Sequence, residues 1–556
     1  MKMFRVVSIA LALSILTACG GGGGSTPQGS ISGTVTKGPM SNSTVAAYSI
    51  SNGQLGAQIA SAMTDANGNF SMSTGSYTGA VMLQASGGTY TDEATGTVMN
   101  MAPGDVMTTV MPTVAANAAT SGIQVTPVTA MAQTMAQHMT GGMTDANIAA
   151  ANTAMGSYFT VSDILHTQPM NPLVTGSGTG ASQDARNYGM ALAAISQYAQ
   201  TKGMSSSSSM VTALMNDASD GIMDGKSGST AVQMGGMGGG TPLPTAAGTS
   251  DLSTAMNTFM LSAQNKSGIT TATLMTRLNG ASGQMLSGGP AMVNGTLSGT
   301  VFNGPMSKAT VKGFAVNNGA MGAQIASVST DGQGNYTLPL GSYTGPVMLQ
   351  MSGGVYTDES KGTTMTMGAS DVMSAVLPTV ASGANVTGIW VTSVTSMAQT
   401  RAAALSGGMT DANIVAANTA MGSYFTVSDI LHTQPMNPLV TNSGTGANQE
   451  ARNYGMTIAA MSQYANTAGI TVSSAFVTAM MSDASDGLMN GKMGSTQISM
   501  LMGGMMGMGS MTSTAGTSGL ATAMTAFMNS AANASGLTAT DLTTLILKLT
   551  NSSGQI

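Results

Sequence analysis

From Ile31 to about Gln284 the chain recurs from Leu297 to its C-terminus at a constant offset of 266 positions over about two hundred residues. Whatever this sequence folds into, it must fold into twice. The closest match sets Met143–Thr175 against Met409–Thr441, where 33 positions hold one difference, Ala149 against Val415. The twins act as an internal control: a residue that binds or reacts must persist in its copy to act there, whereas one that fills space can be exchanged for another of similar size. Each module is large enough to divide again.

The hydrophobic period changes about ninety residues into each module. Short apolar runs such as Ile31–Val35, Thr44–Tyr48, Asn69–Met72 and Ala80–Leu83 are separated by Gly, Asn, Asp and Ser clusters, the spacing of an antiparallel sandwich. Thr64-Asp65-Ala-Asn-Gly68-Asn-Phe70 and its twin Thr330-Asp331-Gly-Gln-Gly334-Asn-Tyr336 place Asp at a turn start and Gly where positive φ is cheap.

From about Thr126 the period becomes helical. Ile148, Ala151, Met155 and Phe159 share one face, as do Tyr188, Leu192, Ile195 and Ala199. Thr144, Ser162, Ser182 and Thr249-Ser250 have N-cap chemistry, and Pro169 with Pro172 is expected to end a short helix after Ser162. Five or six helices per module are expected.

The Gly33-Thr-Val35 strand, the Gly38-Pro39 turn and the Thr-Asp-x-x-Gly-x-Phe/Tyr hairpin resemble the carboxypeptidase regulatory-like, or prealbumin-like, β-sandwich domain over about 85 residues of each module. The resemblance implies a seven-stranded Ig-like sandwich serving as a non-catalytic spacer or binding module, sometimes for carbohydrate. The helical parts resemble regions behind Ig-like domains in large proteobacterial lipoproteins. The expected fold class is therefore multidomain β + α: two tandem copies of an Ig-like sandwich, each followed by an all-α domain. The expected boundaries are 31–120, 121–290, 296–386 and 387–556.

Residues 1–18 read as an export signal: a basic start, an apolar run from Val6 to Leu16 and small residues after it. Leu16-Thr17-Ala18-Cys19 resembles a bacterial lipobox, which implies acylation of Cys19, the only cysteine, ahead of a Gly-rich tether over 19–30. Two or three acyl chains hold a protein stably on a bilayer. Gly20 after the cysteine points, by the same resemblance, to the outer membrane, facing the periplasm or the surface. With no second cysteine, intramolecular disulfides are excluded. Only 6% of residues are charged, and 15 Lys and Arg lie scattered without a basic run, which argues against nucleic acid as a partner.

Several residue sets invite a chemical reading. Thioethers suit Cu(I), and the densest group of the 53 methionines is Met502, Met505, Met506, Met508 and Met511. The twin comparison favours packing instead: Met72 faces Leu338, Met111 Leu377, Met139 Leu405 and Met210 Phe476. Asp217, Asp220 and Asp224, with Asp483 and Asp486 in the copy, suit either Ca²⁺ or two Asp-Gly-type turns; Ala218 and Ala484 break the EF-hand pattern. His138 faces Ala404 and is set aside. His166 and His432 each follow an Asp by three residues, as a base with its orienter or as a helix-end pair. Arg186 with Tyr188, and Arg452 with Tyr454, are the candidate polar surface beside those histidines. The paired acids Asp92-Glu93 and Asp358-Glu359 read as loop turns. Neither an H-E-x-x-H nor a Gly-x-Ser-x-Gly elbow accompanies them.

The sequence therefore points to a non-enzymatic lipoprotein, with no required cofactor, whose partners are the bilayer through Cys19 and cell-surface glycans or envelope proteins. A metal-binding envelope protein using Ca²⁺ or Cu⁺ is the alternative, and a hydrolase built on the histidine regions the third reading.

Overall fold

A computed structural model describes residues 28–234, 241–270, 273–285, 292–502 and 507–556. The export signal, Cys19 and nearly all of the tether lie outside the described residues.

Each module opens with a β-rich region. In the first, strands β1 (Gly29–Val35), β2 (Thr44–Ser51), β3 (Gln54–Met63), β4 (Asn69–Gly75), β5 (Gly79–Ser86), β6 (Thr89–Thr91), β7 (Val98–Asn100), β8 (Val106–Val114) and β9 (Ala119–Val125) form two sheets and a hairpin. One sheet has the order β4-β1-β9 and the other β3-β2-β5-β8, with β6 and β7 paired apart. All pairings are antiparallel except β1 with β9. β4 shows how the sequence sets the layers: Phe70, Met72 and Thr74 point inward while Asn69, Ser71 and Ser73 face solvent.

The turn before β4 is built by its acid. Asp65 Oδ1 accepts from the backbone N–H of Asn67 (2.8 Å) and Asn69 (2.9 Å), and Asp331 repeats both bonds at 2.8 Å. Gly68 has φ +81°, and a Cβ there would sit 2.5 Å from Val35 O. The strands from Thr296 to Val391 reproduce the same orders, including the parallel pair of Thr296–Val301 with Asn385–Val391.

The helices follow. In the first module they are α1 (Pro127–His138), α2 (Asp145–Phe159), α3 (Gln183–Thr201), α4 (Ser207–Asp217), α5 (Ser250–Met260) and α6 (Thr273–Asn279). α1 is buried along its whole length between sheet and helices, capped by a reciprocal Thr126–Thr129 box. Thr144 and Ser182 cap α2 and α3, whereas Thr249 makes no side-chain cap.

Three expectations need correction. The sandwiches run past 120 and 386, to Val125 and Val391, because the last strand straddles each boundary. No helix follows Ser162; residues 162–182 form successive turns, and Ser162 instead gives its N–H to Asp184 Oδ2 at 2.8 Å. The helical regions also carry small hairpins, among them Lys226–Ser227 with Thr230–Ala231.

The two modules are not beads on a string. One contiguous apolar core runs from Ile31 through the first helices to Val391 of the second sandwich, while the second helical region has its own. Gln54 Nε2 donates to Ser342 O (3.1 Å), Asn317 Nδ2 to Gly56 O (2.9 Å) and Asn216 Nδ2 to Ser327 O (2.9 Å). His138 packs against Gly341, and Lys312 reaches over Gly104 toward Asp105. The twins of these five residues are Ala320, Ser51, Ser482, Ala404 and Ala46. One side of each contact has thus diverged between the copies, while the partners Gly56, Ser327, Gly341, Ser342 and Asp105 match their twins, and His138 is explained as a docking residue.

Candidate functional site

The acids Asp92-Glu93 occupy a turn, as expected, but they are buried and paired. Lys37, 1% exposed, lies 3.1 Å from Glu93 Oε2 and contacts Ser196 Oγ, which donates to the same Glu93 oxygen at 2.5 Å. Burial lowers the Lys37 ammonium, but the Glu93 and Asp92 carboxylates outweigh it and hold it above its ordinary range. Asp92 Oδ2 accepts from Ser207 Oγ at 2.5 Å. A serine against a lysine is a nucleophile–base pairing in principle. Here Ser196 is 1% exposed and sealed among packed helices, so it ties helix α3 to the sandwich. The second module keeps Glu359 with Ser462 (2.6 Å) but has buried Asn303 in place of the lysine. Without that cation, burial pushes Glu359 up to about 7, with Asp358 adding to the shift.

The histidine regions are turns rather than helices. Asp163 Oδ1 accepts from the N–H of Leu165 (3.0 Å) and His166 (3.2 Å), and its Oδ2 meets His166 Nδ1 at 2.8 Å. Asp429 and His432 repeat all three contacts within 0.1 Å. The rest of the near-identical block is equally structural. Asp145 and Asp411 cap the strand residues Thr113 and Thr379, and Asn152 and Asn418 bond Val110 O and Val376 O. Tyr158 and Tyr424 donate to Gly248 O and Gly516 O, both at 3.0 Å.

Tyr188 and Tyr454 do not belong to a ligand surface. Both are fully buried, donating to Ile164 O and Ile430 O and pairing with Thr126 and Thr392. Arg186 lines a cavity with Gly268 and Ile269 that His166 does not share, and Arg452 Nε donates to Gly444 O at 3.0 Å. The grouping of His, Arg and Tyr expected from sequence is therefore not assembled in either module.

Each acidic loop spends one carboxylate oxygen on several backbone N–H groups, while the buried Oδ2 of Asp217 and of Asp483 makes no hydrogen bond among the described residues. Asp217 Oδ1 accepts from Asp224, Gly225 and Lys226 N–H at 3.0, 2.6 and 3.1 Å; Asp483 does the same with Asn490, Gly491 and Lys492. Asp220 takes Ile222 N–H and Gly228 N–H, Asp486 takes Leu488 and Gly494, and Asp224 takes Lys226. Each loop is a turn held by carboxylates, not a ring of oxygens facing one point. Among the described residues no group of three His, Cys, Asp or Glu is placed to hold a metal. Calcium or chelator should therefore leave the melting temperature unchanged; a saturable calcium-dependent rise would reinstate the cation reading.

Met505 and Met506 lie outside the described residues, as do the side chains of Met502 and Met508. Met511 is 1% exposed in the second helical core. Met72, Met111 and Met210 are buried, as are their twins Leu338, Leu377 and Phe476, in keeping with packing.

One recess on the second module was not anticipated. A groove of about 1040 Å³ runs between its sandwich and its helices. Phe302 and Trp390 form one side, their rings edge to face at 6.2 Å and 79°. Asp429, His432 and Gln434 come from the turn opposite, and Gln333 from the Asp331 hairpin. The first module holds Thr36 and Gln124 at the aromatic positions. No family model matches the chain, and neither curated proteins nor solved structures give a match. Among the described residues no helix is long and apolar enough to cross a membrane.

Proposed function

We propose that this chain is a non-enzymatic, lipid-anchored protein of the bacterial outer membrane that displays its two modules as one unit in a structural or adhesive role. The observation that carries this reading is the divergence at the module contact. Gln54, His138, Asn216, Lys312 and Asn317 join the modules, and every one of them differs from its twin. Duplicated domains that were only spaced along a tether would need no such asymmetric set.

The lipobox-like Leu16–Cys19 supports the anchor, and Gly20–Gly24 a tether between lipid and first sandwich. The carboxypeptidase regulatory-like character of the sandwiches supports a spacer or binding role over catalysis.

Fractionation tests the reading. The wild-type chain should partition with outer membranes and into detergent, and Cys19→Ala should move it to the soluble fraction. Retention of the variant in the membrane would remove the anchor from the proposal. Protease treatment of intact cells then separates a surface face from a periplasmic one.

A further inference from the structure

We infer that the groove of the second module binds a neutral oligosaccharide, with Trp390 as the platform on which a sugar ring lies. The duplication isolates the reason. His166 and His432 are set by their acids in the same way, at 2.8 Å, and the turn from Asp163 to Asn171 is identical to that from Asp429 to Asn437. What differs between the copies is chiefly the facing wall, Thr36 against Phe302 and Gln124 against Trp390, with Asn67 against Gln333 and Ser182 against Asn448 beside it.

Trp390 is the only tryptophan of a chain that is 4% aromatic. It is half-buried, whereas Gln124 at the same place is 2% exposed. Phe302 is buried beneath it at 4% exposure and fixes the indole by an edge-to-face contact. The indole thus presents apolar surface to the groove at little cost in conformational freedom.

The rest of the lining is mostly polar, with Pro305, Pro435, Met436 and small residues among it, and almost uncharged. Asp429 and His432 are the only ionisable residues among the groove's lining, and they pair with each other. That pairing commits His432 Nδ1 and leaves Nε2 for a ligand. The exposed amides of Gln333 and Gln434 offer both donors and acceptors. An aromatic face ringed by amides suits the apolar face and hydroxyl rim of a sugar, whereas a phosphate would find no lysine or arginine in the lining and the one carboxylate, Asp429, is already held by His432 and by the backbone of its own turn. A proline-rich segment, the other ligand that aromatic grooves take, would be expected to meet several parallel aromatic ridges, not one indole among amides.

This inference deepens the display reading and rests on it for its setting, but its test does not depend on the anchor. The single tryptophan reports the groove directly. Neutral α-glucan, β-glucan, mannan and galactan oligosaccharides are titrated into the full mature chain carrying Cys19→Ala, and the same protein is applied to a glycan array. At least one neutral glycan should shift or quench the Trp390 emission to saturation and be retained on the array. Trp390→Gln, the first module's residue, should weaken array binding about tenfold or more. His432→Gln and Gln434→Ala, both at exposed positions, should weaken it with an unchanged melting temperature, which guards against a misfolded tryptophan variant. An unchanged spectrum with an empty array, full binding by all three variants, or a response only to proline-rich peptides would overturn the assignment.

Discussion

Replacing Lys37 by asparagine, the residue its twin position holds, should destabilise the first module by about 3–5 kcal/mol at pH 8, the usual loss when one partner of a buried ion pair is removed. Lys37 and Glu93 are 1% and 2% exposed, so water cannot replace the missing ammonium. Glu93 would keep Ser196 as a donor, as Glu359 keeps Ser462, but would lose its ammonium partner. Adding Glu93→Gln should recover most of it at every pH, because a neutral amide needs no counter-charge. Hydrogen exchange of the β5 amides reads the effect locally, and Trp390 fluorescence reads the second module separately. A double variant no more stable than Lys37→Asn would show that the pair contributes little and that the lysine acts through packing alone.

The same pair shows what the sequence could and could not disclose. Strand alternation, the Asp65 and Asp331 turns and the capping threonines are local, so they were legible from spacing. Lys37 and Glu93 are 56 positions apart, and Ser196 lies a further 103 beyond Glu93. Nothing local announces their meeting. A trace existed in the twins, since Glu93 and Ser196 persist as Glu359 and Ser462 while the lysine changes to Asn303. The strand residues up to Val125 and Val391 escape a reading by spacing because Gly122 and Gly388 interrupt the apolar pattern of the last strand in each module. The helix expected after Ser162 fails because the Asp163 carboxylate caps a single turn and Pro169 stops its continuation.

Divergence between twins proved the better guide to specific roles, and conservation between them to scaffold. The near-identical block is bonded as scaffold: its Asp and Asn side chains hold helix to sheet in both modules alike. His138, discounted because its twin is alanine, is a buried contact between the modules. The Phe302 and Trp390 wall belongs to the same class of difference. Twin comparison separates what both modules need from what one module does.

Acid–base titration should show these asymmetries as opposed slopes. Burial pushes Glu359 up to about 7, so the native chain holds a proton that the unfolded chain has released above its ordinary carboxyl range. Stability from this group is full below about pH 4.5 and falls as the pH rises to about 7, by about 3 kcal/mol at about 1.4 kcal/mol per unit. Burial also pushes Asp483 up to about 6 and Asp217 up to about 8, and both act in the same direction. His138 does the reverse: burial holds its imidazole down at about 4, with Nδ1 donating to Thr134 O at 2.8 Å. Its contribution is full above about pH 6.5 and is lost toward pH 4, again by about 3 kcal/mol. Three carboxyls oppose one imidazole, so these groups together should leave the wild-type chain most stable near pH 4 and weaken it toward pH 8. Glu359→Gln should remove about 3 kcal/mol of the alkaline loss and change little at pH 4. His138→Gln should instead steepen the fall between about pH 4 and 6.5, leaving the slope above it as it was. Urea unfolding across pH 4 to 8 distinguishes the two, and parallel profiles for both variants would mean that neither group titrates in the folded protein.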